Sequence, residues 1–363
     1  MRNILISSKP IPSNKIGSWN ILLTNLIEKE IFFFDAIISP KPHLIIDDIN
    51  HIVKEESALL TKIKLRFLND LPKKEYWSKL KKIIDFKKKV NIIIFDDIKI
   101  LEAINFYSLR AGLRENLNII YFNRGYRFDL NVNHRNRIFK CIDKLVVQTE
   151  SSYLDQVKEN HTIPCEVRVL RNGIDSDIFF PKTGKEKLKL KEELNLNIDK
   201  KYFLWISQDR PKKGLSIILK AWSKIIEKFD NVELLILGTN NEIKGENIRW
   251  FGRKSNKELA KYYQVTDYYL FSSLCHEGHP LSLTEALKSG AKCIASNIDP
   301  ISEILHGGDL GLLVENPHFV ESWITVIERV LINDINFNKA SVNLMELYNM
   351  NNWKNEFRNI INK

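Results

Sequence analysis

Cysteine is scarce and scattered. The 363 residues hold four, Cys141, Cys165, Cys275 and Cys293, with no C-x-x-C pair and no histidine nearby at zinc spacing. That excludes a disulfide framework and a sequence-local zinc site, and fits reduced, mostly buried thiols in a cytoplasmic protein. Long apolar runs are also missing. No stretch reaches the roughly 18 apolar residues that a bilayer-spanning helix needs. The opening run Asn3-Ile4-Leu5-Ile6 turns polar at Ser7, too short for the apolar region of a signal peptide. Nor is there an internal repeat or a low-complexity tract, which leaves a soluble or peripheral globular protein.

What is present fits two domains of ordinary size. A chain of 363 residues is long for one core, and 44% hydrophobic with 28% charged residues is the balance of a folded protein. The net charge is +10 and unevenly spread: residues 1–180 carry 29 Lys and Arg against 22 Asp and Glu. Within them, residues 62–89 hold eleven basic residues and three acids, Asp70, Glu75 and Asp85. Apolar residues, Trp77 and Leu80 among them, are interleaved with these lysines. Such a stretch can meet an anionic membrane or nucleic acid, or simply solvate a helix over the domain's own core.

Short apolar runs bounded by polar turns alternate with helical patterns, as in parallel sheets covered on both faces. In the first half the strand candidates are Asn3–Ser7, Ile31–Ile38, His43–Ile46, Val90–Phe95, Asn118–Phe122, Lys144–Thr149 and Val167–Leu170, with a helix over Trp19–Lys29. In the second half they are Tyr202–Ser207, Val232–Gly238, Ile248–Phe251, Tyr268–Ser272 and Lys292–Ser296, with helices at Gly214–Phe229, Asn256–Gln264 and Pro280–Ser289. Two such arrays in tandem predict two Rossmann-like, doubly wound α/β domains. Residues 1–175 form the first, joined by a closing helix at about 345–363; residues 198–344 form the second, and the Lys/Glu-rich stretch 176–197 links them.

Open α/β sheets bind ligands beyond the carboxyl ends of their strands, and two facing domains make a cleft suited to a large polar ligand. A nucleotide diphosphate asks for helix-start amides and cations, and its ribose diol for a carboxylate. The run His276-Glu277-Gly278-His279-Pro280-Leu281-Ser282-Leu283-Thr284-Glu285 offers them: a strand end, a loop carrying Glu277 and Gly278, and Pro280 at a helix start. Amides of His279, Leu281 and Ser282 then face an anion site, with one carboxylate before the helix and Glu285 within it.

These residues carry a family resemblance. The chain resembles the retaining glycosyltransferases of family 4, which have the GT-B fold; Glu277 and Glu285 match their Glu-x7-Glu signature within EGHPLSLTEALKSGAKCIAS. Further landmarks follow the family's order: IPSNKIGSW, DKLVVQTESSYL, VRVLRNGIDSDIFFP, PKKGLSIILKAW, TDYYLFSS and MNNWKNEF. The last resembles a helix crossing back to the first domain. The resemblance spans nearly the whole chain and is tight in the C-terminal half.

The resemblance implies transfer of a sugar from a UDP- or GDP-sugar to a glycan or lipid-linked acceptor, with the anomeric configuration retained. Residue by residue, it implies Glu277 on the donor sugar hydroxyls, Glu285 on the ribose, and Lys213 on the diphosphate with amides at Leu281 and Ser282. Gly17 and Ser18 bring backbone to the phosphates, and Arg253 and Lys254 face the nucleobase. No cofactor, metal or nucleic-acid partner is expected, and the location is cytoplasmic or on the inner membrane face through 62–89. The sequence departs from the pattern three times, once in the first domain's acceptor-facing loops, which match little of it, and twice at single residues. Gln208 stands at the family's arginine position, so Arg210 takes that role, and Asn123 replaces a histidine that touches the donor sugar. Asn123 can hydrogen-bond but cannot act as a base. Asp47-Asp48 and Asp96-Asp97 follow apolar strands and read as turn formers rather than metal ligands. Two other functions remain open: a sugar-nucleotide epimerase on the same fold, and a non-catalytic partner subunit.

Overall fold

Apolar runs become parallel strands in both halves of the chain. The structure, a computed structural model, describes residues 1–13, 18–30, 33–54, 71–128, 130–160, 162–333, 335, 337, 343 and 346–362. Two units emerge: Met1–Arg171 with Lys354–Lys363, and Asn172–Trp353.

The first unit is built on β1 (Arg2–Ile6), β2 (Ala36–Ser39), β3 (Asn50–Ile52), β4 (Val90–Phe95), β5 (Leu117–Phe122), β6 (Lys144–Val147) and β7 (Glu166–Val169). They form one parallel sheet in the order β3-β2-β1-β4-β5-β6-β7. Two strand expectations shift here. Of the run expected from Ile31, the described residues pair at Ala36–Ser39, and His43–Ile46 is a bend leading into a turn at residues 47–49 rather than a strand. Asn50 accepts a hydrogen bond from the Ile46 amide (2.8 Å), closing a turn that leaves Leu44 and Ile45 exposed and puts the edge strand at Asn50–Ile52.

Of the two readings of the basic segment, its described helix follows the inward-facing one. Lys74–Ile83 is a helix whose Tyr76, Trp77 and Leu80 are buried in the unit's own core, with the Trp77 ring 5.8 Å from that of Phe86. Its spacing is that of an amphipathic helix facing inward, so Trp77 and Leu80 are not available to a lipid surface. Residues 62–70 lie outside the described residues, and among the described residues no helix is long and apolar enough to cross a membrane.

Residues 354–362 of the helix Met350–Asn362 complete this unit. Phe357 is fully buried, its ring 5.2 Å from Phe122, 5.4 Å from Phe33 and 6.2 Å from Phe95. Its last carbonyls carry the negative end of the helix dipole and are met by donors: Lys144 Nζ reaches Ile360 O at 2.8 Å and Asn91 Nδ2 reaches Ile361 O at 2.6 Å. Glu30 pairs with Arg358 and, at 3.6 Å, with Lys354.

The second unit holds β8 (Lys201–Ile206), β9 (Val232–Leu237), β10 (Ile248–Gly252), β11 (Tyr268–Phe271), β12 (Lys292–Ser296) and β13 (Gly311–Val314). All pair in parallel, in the order β10-β9-β8-β11-β12-β13. Trp222 and Trp323 pack in the core on one face, and Tyr263 and Leu283 in the core on the other. The stretch 176–197, expected as a linker, lies inside this unit. It carries the helix Gly184–Glu193, started by a capping box between Thr183 and Glu186, with Leu190 buried in the core.

Candidate active site

Strand order locates the site. From the parallel neighbours β8 and β11 the strand order runs outward in opposite directions, to β10 on one side and β13 on the other, and a doubly wound sheet opens a crevice at that switch point. Two loops leave the carboxyl ends there. After β8 the chain passes exposed Gln208 and Arg210 into a 3₁₀ turn at Pro211–Lys213. After β11 it passes Ser272 and Ser273 into the loop carrying Glu277.

The loops are tied by backbone and side chain alike. The Leu274 amide donates to Lys212 O at 2.8 Å, and Ser272 Oγ donates to Lys213 O at 2.9 Å. Trp205, from β8, donates its indole N–H to the same Ser272 oxygen at 3.0 Å. Gly214 closes the turn at φ +72, where a Cβ would stand 2.1 Å from the Ser272 carbonyl oxygen. Only glycine satisfies both the left-handed backbone and that approach.

This framework brings Lys213 and Glu277, 64 residues apart in sequence, into an ion pair between Nζ and Oε1. Both side chains keep about a fifth of their surface in solvent, 21% for Lys213 and 17% for Glu277. Ser273 Oγ, buried, donates to the same Oε1 at 2.6 Å. The loops thus hold a cation and a carboxylate together, groups that can meet a phosphate and a sugar hydroxyl respectively.

Beyond the loop lies the helix Leu281–Lys288. Pro280 is the residue before its first turn rather than the first helical residue expected; the amides of Leu281 and Ser282 open the helix, where first-turn N–H groups have no partner within it. Asn172 Nδ2 holds the loop by donating to His279 O at 2.8 Å. The His279 ring is buried, 5.0 Å from that of Tyr348, so this histidine serves through its backbone and packing. His276 is exposed and bonded through Nδ1 to Asp299 O at 2.9 Å. Gly278, between them, is half-buried.

Glu285 stands apart from the ion pair. It is 7% exposed, and its Oε2 accepts a hydrogen bond from Tyr263 Oη at 3.3 Å. Burial dominates that single hydrogen bond and pushes the carboxyl up to about 7. The same surroundings push the Tyr263 phenol well up.

The remaining expected residues are dispersed. Arg253, exposed, and Lys254, half-buried, follow the edge strand β10. Asn123 belongs to the first unit, buried at the end of β5, its Nδ2 donating to Gly125 O at 3.1 Å. Ser18 is the first residue of the helix Ser18–Lys29, and Gly17 lies outside the described residues. Among the described residues no three His, Cys, Asp or Glu side chains gather as a metal site. Reasoning from sequence missed Ser273, whose contact crosses a loop, and Tyr263, which reaches Glu285 from the preceding helix.

Residues 186–344 match the family described as "Glycosyl transferases group 1". A phosphatidyl-myo-inositol mannosyltransferase of Mycobacterium tuberculosis is 24% identical over 188 residues, 47% of this chain and 46% of that protein. A D-inositol 3-phosphate glycosyltransferase of Corynebacterium aurimucosum is 23% identical over 209 residues, 53% of this chain and 49% of its own. The chain thus spans about half the length of the curated relatives it matches. Among solved structures, sucrose-phosphate synthase from Thermosynechococcus elongatus superposes with TM-score 0.71 at 16% identity, covering 99% of this chain and 98% of that one. The Anabaena protein HepE in complex with UDP gives 0.73 at 12% identity and 99% of both chains. In fold the protein has two parallel-sheet, Rossmann-like domains, as do the GT-B structures on which it superposes, and over residues 186–344 its sequence matches the model of the group 1 glycosyl transferases.

Proposed function

We propose that this chain is a retaining glycosyltransferase. It takes a sugar from a nucleotide diphosphate donor, a UDP-sugar before a GDP-sugar. It passes the sugar to a glycan or lipid-linked acceptor, in the synthesis of a cell-surface polysaccharide or glycoconjugate. The observation that carries this is the Lys213–Glu277 pair at the switch point of the second sheet, one loop ahead of the helix bearing Glu285.

In this reading the donor takes the pair apart. A diphosphate oxygen replaces Glu277 on the Lys213 ammonium, and the released carboxylate accepts from a hydroxyl of the sugar. As the glycosidic bond breaks, charge grows on the departing phosphate. Lys213, the amides of Leu281 and Ser282, and Arg210 from the adjoining turn are there to meet it. That charge needs no metal to neutralise it. Glu285 accepts from the ribose diol. The acceptor attacks from the side the nucleotide leaves, and a phosphate oxygen takes its proton.

Support comes from the named relatives, which transfer mannosyl or other glycosyl groups, and from HepE, a fold neighbour that carries UDP-glucose. The relatives' names favour transfer over epimerisation or a purely binding role. The test is a donor screen: UDP-, GDP- and ADP-sugars, each with EDTA and without added metal, followed for hydrolysis and for transfer to lipid and glycan acceptors. Release of one nucleoside diphosphate in EDTA is the expected result. No turnover of any donor, or turnover only on restoring manganese or magnesium, refutes the corresponding part of the reading.

A further inference from the structure

The hydroxyl of Ser273 has one proton to give and three acceptors within reach. Glu277 Oε1 lies at 2.6 Å, Cys275 O at 3.4 Å and Cys275 Sγ at 3.8 Å. The carboxylate is both the closest and the charged acceptor, so the proton goes there. Ser273 is itself buried, two residues past the end of β11 and between Ser272 and Leu274, which both bond to the Pro211–Lys213 turn, so its oxygen is held by packing and by fixed neighbours. Glu277 is the reverse: a side chain with about a sixth of its surface in solvent, on a loop four residues further on. Lys213 bonds the same Oε1, so both anchors pull on one oxygen.

Resting on the glycosyl-transfer reading, we infer that Ser273 is a positioning residue. It holds Glu277 by Oε1 so that Oε2 meets the donor sugar once the diphosphate has drawn Lys213 away. Without the serine, donor binding removes Lys213, the other anchor among the described residues, at the moment the carboxylate is needed. The serine therefore matters little to the free protein and most in the donor complex. Its neighbour Ser272 provides the contrast: it accepts from Trp205 and donates to Lys213 O, so its loss strands a buried indole N–H.

The test compares wild type, Ser273→Ala, Ser272→Ala and Glu277→Ala. Calorimetry measures affinity for UDP and for the UDP-sugar found in the donor screen, alongside kcat and KM. Ser273→Ala is expected to keep the wild-type melting temperature and UDP affinity. It should lose about tenfold in kcat and most of the extra affinity that the sugar adds over UDP, since a hydrogen bond to a charged group is at stake. Ser272→Ala should instead lower the melting temperature. Wild-type kcat in Ser273→Ala while Glu277→Ala is inactive overturns the inference and leaves the reading intact, as does an equal loss of UDP and UDP-sugar affinity. Crystal structures of wild type and Ser273→Ala answer even if no donor is turned over. A displaced or split Glu277 carboxylate in the variant supports the inference, and an unmoved one refutes it.

Discussion

Glu285 makes the second unit sensitive to pH in a direction opposite to that of a salt-bridged acid. Its carboxyl is buried with one phenolic donor, and burial raises its pKa from 4.5 to about 7. The folded state therefore holds a proton that the unfolded chain has released between those values. Stability is full below about pH 4.5, falls as pH rises through the window, and levels off above about 7. At 1.36 kcal/mol for each unit of pKa, the ionised carboxylate costs the fold ~3 kcal/mol at pH 8. Glu285→Gln keeps the shape and cannot ionise. It should match wild type near pH 5 and be more stable by up to ~3 kcal/mol at pH 8. Urea unfolding at steps of half a pH unit, followed by tryptophan fluorescence, measures this, because five of the seven tryptophans (Trp205, Trp222, Trp250, Trp323, Trp353) lie in the second unit. The nucleotide should oppose the effect. A ribose diol donates to the carboxylate form, so UDP should stabilise wild type more at pH 8 than at pH 6, with a proton released on binding at the lower pH. Parallel wild-type and Glu285→Gln curves from pH 5 to 8.5 refute the reasoning.

Other outcomes follow from the same geometry. Lys213→Ala should lower kcat/KM by roughly 100-fold or more, the usual scale for losing a group that meets charge in the transition state; a wild-type rate would mean that the diphosphate binds elsewhere. Glu285→Ala should chiefly weaken nucleotide binding and Glu277→Ala chiefly depress turnover, and calorimetry with the free nucleoside diphosphate separates them. Gly214→Ala adds a Cβ 2.1 Å from the Ser272 carbonyl oxygen at positive φ, so it should destabilise the second unit by ~2 kcal/mol or more and displace Lys213, read as a lower melting temperature together with lost activity. Transfer should persist in EDTA; complete loss that manganese restores would count against the proposed leaving-group stabilisation.

Much of this architecture is legible in the sequence because buried parallel strands are nearly continuous apolar runs. Val90–Phe95 and Val232–Leu237 announce themselves in that way and are buried throughout. Edge strands do not: Asn50–Ile52 is polar and half-exposed, and the apolar run just before it lies in an irregular bend. The helix Gly184–Glu193 hid among lysines, although Thr183 and Glu186 spelled out a capping box. For Lys74–Ile83 the pattern showed an amphipathic helix but not which partner its apolar face meets, and that partner is the core. At the site, Glu277, Glu285 and Lys213 stand out by their context. Their mutual relations do not, because the Lys213–Glu277 pair joins two loops 64 residues apart and Tyr263 comes from another helix.

The closing helix has a consequence for how the protein is made. Residues 354–362 complete the first unit, yet the ribosome adds them only after the whole of Asn172–Trp353. At about 5–20 residues per second, that delay lasts roughly ten to forty seconds. Throughout it the aromatic face that Phe357 will cover, with Phe33 and Phe122, stays open on the nascent chain, and Lys144 and Asn91 have no helix end to hold. The half of the protein that emerges first is therefore the half that finishes last. A stop codon at Lys354 should send the nascent first unit to chaperones and aggregates while leaving the second unit able to fold.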